Sequence, residues 1–272
     1  MRYAVLPASA AAPSALFARI RATHVEVRMI PLVPVVVPNI LQALVLVIVF
    51  SLALAPYMRK HAGAFYLGFL AFSLASFLPA MDANPAFKTV VDLFASCYTG
   101  VAFYLVVMFI GALPKRWQAV RRLLAARSEL SVIGGIVICA HVVKVVFMVP
   151  LSLTFYWGYV WGDAAPYMLL ACTVIGVPLL VCFLVPWITS FKAVRKKMRP
   201  ATWKRVQKLA YPFMALLVAQ GILLGVGHAV YVGADASEFP TYVATSVTYA
   251  VMGIAYLALK LHMRFSSSHA KD

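Results

Sequence analysis

The sequence predicts an all-α, polytopic transmembrane bundle of about seven spans with a cytoplasmic C-terminus, on three observations. Of the 272 residues, 64% are hydrophobic and only 12% are charged. The apolar residues gather in seven long runs. Basic and acidic residues alternate between the connectors that separate those runs. A soluble domain carries about a quarter charged residues, and this chain lacks the polar surface that keeps such a domain dispersed. With a mean hydropathy of +0.90, its natural solvent, and first partner, is the lipid bilayer.

A helix rises about 1.5 Å per residue and the hydrocarbon core is about 30 Å thick, so about 20 apolar residues cross it. The first span is expected near 33–57, closed by Arg59, Lys60 and His61 before the second near 62–81. Asp82-Ala83-Asn84-Pro85 punctuates the chain before a third span near 88–113. A basic stretch from Lys115 to Arg127 leads into the fourth, near 130–151. Trp157, Tyr159 and Trp161 form an interfacial aromatic belt, and Ala165-Pro166 opens the fifth span, near 166–190. A cationic loop, Phe191 to Pro200, precedes the sixth, near 209–232, and Phe239-Pro240 precedes the seventh, near 241–261. No internal repeat, low-complexity tract or long linker appears, so residues 29–262 form one bundle with a tail at 263–272.

Charge orients it. Arg59 and Lys60, the segments 115–127 and 192–208, and Lys260, Arg264 and Lys271 hold 18 of the 24 Lys and Arg. The intervening connectors hold Asp82, Asp163, Asp235 and Glu238. Lys and Arg resist translocation, so the first set is expected in the cytoplasm of a bacterial cell and the second outside its cytoplasmic membrane. The net charge of +16 therefore reads as loop charge beside anionic lipid, and nucleic acid is not an expected partner. Cys97, Cys139, Cys172 and Cys182 lie inside apolar runs with neither knuckle nor disulfide spacing, which makes them small core residues. Residues 1–28 form a basic arm carrying Arg2, Arg19, Arg21 and Arg28, with no apolar stretch of a signal peptide. Two readings stay open for it: translation starts at Met29, or the arm lies on the membrane surface.

Ionisable groups inside the runs are few and informative. His141 and Lys144 stand three residues apart, about 60° around a helix, and so share a face of the fourth span. His141 lies close to the bilayer midplane; it is either a hydrogen-bonded core residue or a ligand for haem or metal, or a proton relay. Lys144, one turn outward, either snorkels to the surface or pairs with a carboxylate such as a haem propionate. His228 lies nearer the outer loop, and His61, His262 and His269 lie at the inner surface.

Three ordered segments resemble the ferric reductase-like transmembrane domain. Arg127-Ser128-Glu129-Leu130, then Gly134-Gly135 and His141, is similar to that family's Arg-x-x-Leu…His segment. Trp187-Ile188-Thr189-Ser190, followed by Trp203 to Tyr211, is similar to its Thr-Ser…Trp-x-x-Leu-His-x-x-x-Tyr stretch, and Cys97-Tyr98-Thr99-Gly100 to its His-Phe-Thr-Gly. The match covers roughly residues 88–232. The family includes the haem-binding membrane subunit of a methionine sulfoxide reductase system. The resemblance implies electron transfer across the membrane through b-type haem, from a cytoplasmic or quinone donor to an extracytoplasmic redox partner protein.

The departures bear on the cofactor. Where the family places two haem-ligating imidazoles this chain has Gln207 and Gln220, and its His-Phe-Thr-Gly histidine is Cys97. A carboxamide lacks the basic nitrogen lone pair of imidazole. His141 is retained as the haem-iron ligand, with Lys144, Gln220 and Gln207 as the other cofactor-facing candidates. A His141–Gln220 hydrogen bond is the simplest polar contact at that depth. No G-x-G-x-x-G, P-loop, paired carboxylates or Ser-His-Asp set is visible, so flavin or nicotinamide chemistry would belong to a partner. The expectation is a haem-bearing oxidoreductase subunit; the alternatives are a cofactor-free anchor or assembly protein of the same fold and, third, a transporter.

Overall fold

The structure, a computed structural model, describes residues 37–78, 97–152 and 165–269; the N-terminal arm, the Asp82–Pro85 turn and the Trp157–Trp161 belt lie outside the described residues. Every regular element among the described residues is a helix. In chain order these are α1 Asn39–Lys60, α2 Ala62–Ala75, α3 Cys97–Ile110, α4 Gln118–Ala125, α5 Arg127–Ser152, α6 Ala165–Ile188, α7 Lys192–Arg195, α8 Pro200–Gln207, α9 Ala210–Val232 and α10 Phe239–His269. Each predicted span overlaps one apolar helix among the described residues. Five stretches are long and apolar enough to cross a membrane: Asn39–Lys60, Arg127–Val146, Leu170–Ile188, Pro200–Val232 and Phe239–Phe265. The described parts of α2 and α3 are apolar but have 14 residues each, about 21 Å of helix, less than the hydrocarbon thickness.

Local chemistry sets the helix ends. Pro38, held near φ −57°, precedes α1, and Pro200 opens α8, where a missing amide hydrogen costs nothing. α9 stops at Gly233, whose φ of 79° suits glycine. Two connectors read as plain loops contain helix. α4 is amphipathic, burying Val120 and Leu123 while Arg121 and Arg122 stay exposed. The 191–208 stretch folds into α7 and α8, where the Arg195 guanidinium sits 4.2 Å from the Trp203 ring centre. α10 runs through 262 into the stretch assigned to the tail.

Sequential neighbours pack antiparallel through small residues. Phe50 meets Phe65 and Phe69 across the His61 break, with ring centres 6.2 and 5.6 Å apart. A Cβ on Gly100 would lie 3.1 Å from the Gly134 carbonyl oxygen, and one on Gly134 would lie 2.7 Å from Cβ of Phe103. α3 and α5 are therefore in near backbone contact. Gly135 of α5 receives Trp187 of α6, whose Nε1 donates to the Val132 carbonyl at 3.2 Å. Gly221 and Gly225 of α9 receive Tyr249 and Ser246 of α10. α3 is the central helix, with Ala102, Phe103 and Leu105 almost fully enclosed. Tyr104 joins the two halves: its hydroxyl donates to the Ser131 carbonyl at 3.2 Å, and its ring lies 5.4 Å from Phe183 and 5.3 Å from Phe213.

This up-down order gathers the basic connectors at one end of the bundle. Pro56, Lys60, Ala125 and Lys192 line a common cleft there, and Lys260 Nζ donates to the Gly111 carbonyl at 3.3 Å. Outward-facing Val45, Val49, Leu67, Leu170, Val174 and Ile254 are exposed. Together with the five long apolar helices, they make the chain a helical membrane protein.

Candidate functional site

The predicted site residues fall on three separate parts of the bundle. His141 stands at the middle of α5, half-buried. Its face is set by neighbours three residues away: Ile138 packs at Gly100 of α3, and Lys144 reaches the C-terminal turn of α2. His141 thus looks toward α2 and α3. Lys144 Nζ donates to the Ser76 carbonyl at 2.7 Å and sits 5.0 Å from the Phe77 ring centre. Its charge is spent on a helix end and an aromatic face, both favourable to a cation.

Gln220 lies elsewhere, on α9, the helix packed between α6 and α10. Its side chain neighbours Cys172 of α6, and its Oε1 is buried with no hydrogen-bond partner. The expected His141–Gln220 bond through that oxygen is not made.

Gln207 closes α8. Its Nε2 donates to Thr189 Oγ1 at 3.1 Å and to the Pro186 carbonyl at 3.3 Å. The Thr189 and Ser190 hydroxyls also donate to that carbonyl, at 3.0 and 2.8 Å. At the end of α6 the Val185, Trp187 and Ile188 carbonyls accept backbone amides of the following turn, while the Pro186 carbonyl takes these side-chain donors. Trp203 adds Nε1 to the Thr189 carbonyl at 3.3 Å. The residues that carry the family resemblance, Trp187 to Ser190 and Trp203 to Gln207, thus form a helix-end lock.

The described residues do not fit a haem held between facing imidazoles. Gln207 is bonded into the α6–α8 junction, Gln220 faces α6, Cys97 is a thiol, and Tyr104, Phe183 and Phe213 fill the centre between α3, α6 and α9. Among the described residues no three His, Cys, Asp or Glu side chains lie close enough together to hold a metal ion. His228 also has a local setting: Nδ1 is 2.7 Å from the Leu224 carbonyl, and its ring stacks on Tyr242 with centres 5.0 Å apart.

The sequence reading passed over Glu129. This carboxylate is only 2% exposed, accepts from Ser128 Oγ at 2.8 Å, and pairs with Lys192 Nζ at 2.9 Å. It lines an open cleft of about 480 Å³ with Pro56, Arg59, Lys60, Ala125, Ser128 and Lys192. The signal for it was a lone acid in the first turn of an otherwise apolar helix, beside basic connectors.

The fold and composition define a helical membrane protein. No family model matches the chain, and no solved structure matches it. It is similar to an uncharacterized protein of Treponema pallidum (strain Nichols), 29% identical over 220 residues, which cover 78% of this chain and 59% of that relative's length.

Proposed function

We propose that the chain is a seven-span protein of a bacterial cytoplasmic membrane, with its basic connectors and C-terminus in the cytoplasm, serving as a cofactor-free anchor or assembly subunit. The observation that carries the cofactor-free reading is the Gln207 carboxamide, bonded to Thr189 and Pro186 where the resembling family places an imidazole. The topology rests on the gathering of basic connectors at one end of antiparallel helices. The visible spectrum of the purified protein, oxidised and reduced, tests the first part, and reporter fusions test the second.

A second reading, an electron-transfer subunit with b-type haem on His141 that serves an extracytoplasmic redox partner, is favoured by the mid-helix position of that imidazole. Burying a titratable group at that depth is costly unless it is used or bonded. Pigment lost on His141→Ala would favour it.

A further inference from the structure

The cleft at the basic end is joined to a stripe of apolar surface. On α1, Val45, Val49, Ala53 and Pro56 are all exposed, and their spacing of four, four and three residues keeps them on one face. That face climbs the helix toward its C-terminus and runs into the cleft, because Pro56 is also one of the cleft's lining residues. Above Pro56 the lining turns cationic, with Arg59 and Lys60 in the last turn of α1 and Lys192 from α7. The charges do not cancel. Lys192 is matched by Glu129 at 2.9 Å, whereas no carboxylate among the described residues pairs with Arg59 or Lys60. The other described carboxylates, Asp235 and Glu238, lie in the connector between α9 and α10, at the opposite end of the bundle.

We infer that this cleft seats the phosphate of an anionic phospholipid, with an acyl chain lying along Val45, Val49 and Ala53. The chemistry of the surface is that of the ligand: two cations with no carboxylate partner among the described residues for a phosphodiester, then some 15 Å of apolar helix face for hydrocarbon. A free phosphate would use the cations and leave the stripe idle. Glu129 sets an upper limit on the attraction, since its carboxylate faces the same cleft. The inference uses the membrane placement of α1 and not the absence of a cofactor. The side of the membrane is tested separately by the reporter fusions.

The test is native mass spectrometry of the full chain in detergent, titrated with phosphatidylglycerol or with phosphatidylcholine. Wild type is expected to retain phosphatidylglycerol preferentially. Arg59→Gln should weaken that retention about fivefold and Arg59→Gln with Lys60→Gln about thirtyfold, as one and two basic groups at a membrane surface imply. Glu129→Gln should strengthen it, because a negative charge leaves the cleft while the side-chain shape is kept. Lys196→Gln with Lys197→Gln removes the same charge from a nearby exposed loop and should change retention less than about twofold. Equal losses in the two double variants would overturn the site, as would an Arg59→Gln protein that binds like wild type. Displacement of the bound lipid by millimolar inorganic phosphate would overturn the lipid assignment. Should the double variant fail to fold, the exposed single substitution Arg59→Gln decides alone.

Discussion

Gln207 Nε2 donates to Thr189 Oγ1 at 3.1 Å, tying the start of the 200–232 helical run to the end of α6. The same nitrogen reaches the Pro186 carbonyl, so one side chain serves two acceptors at a proline-containing helix end. Gln207→Ala is expected to lower stability by about 0.6 kcal/mol per lost bond, as side-chain hydrogen bonds in membrane bundles average. Thermal unfolding in detergent measures this. A loss no greater than that of an exposed α8 substitution such as Ala201→Ser would remove the lock.

Gly134→Ala is expected to destabilise the bundle by about 1–3 kcal/mol. The added methyl meets Cβ of Phe103 at 2.7 Å, and a Cβ cannot rotate away, so α3 and α5 must part. Gly63→Ala, where nothing lies within 4 Å, is the control and should be neutral or slightly stabilising. Equal unfolding midpoints for the two variants would contradict the close α3–α5 contact.

Lys192→Ala leaves the enclosed carboxylate of Glu129 without its cationic partner, while Ser128 still donates to it. Because the lysine side chain is 66% exposed, the pair is well screened, and the expected cost is about 1 kcal/mol. Raising the salt concentration should shrink the difference between variant and wild type. A salt-independent difference would mean that the lysine acts through packing.

Much of the fold was legible because lipid imposes one rule: backbone groups must be paired inside the segment, so long apolar runs become helices. That is why all seven predicted runs meet helices, Pro56, Pro178 and Pro186 notwithstanding. The connectors were less legible. α4 is too short and too polar for a hydropathy argument, yet Val120 and Leu123 carry its helical period. The candidate site was the least legible part. Resemblance groups His141, Lys144, Gln207 and Gln220 along the chain, but which face of a helix a residue presents depends on its packing partners. Ile138 at Gly100 and Lys144 at Ser76 set the face that His141 presents, and no sequence period reports that.

Reporter fusions are expected to place residues near 120, 198 and 268 in the cytoplasm and those near 83, 160 and 236 outside. The expectation follows from Lys and Arg in the first set of connectors and Asp and Glu in the second. A cytoplasmic signal near 160 would contradict the seven-span topology.

The visible absorption spectrum of the purified protein, oxidised and dithionite-reduced, tests the central claim most directly. Carboxamides at 207 and 220, and a histidine turned toward α2 and α3, predict no haem band in wild type. They also predict that His141→Ala alters stability alone, by about the 0.6 kcal/mol of a lost hydrogen bond. A stoichiometric b-type spectrum that disappears in His141→Ala would contradict the cofactor-free assignment and establish His141 as an axial ligand.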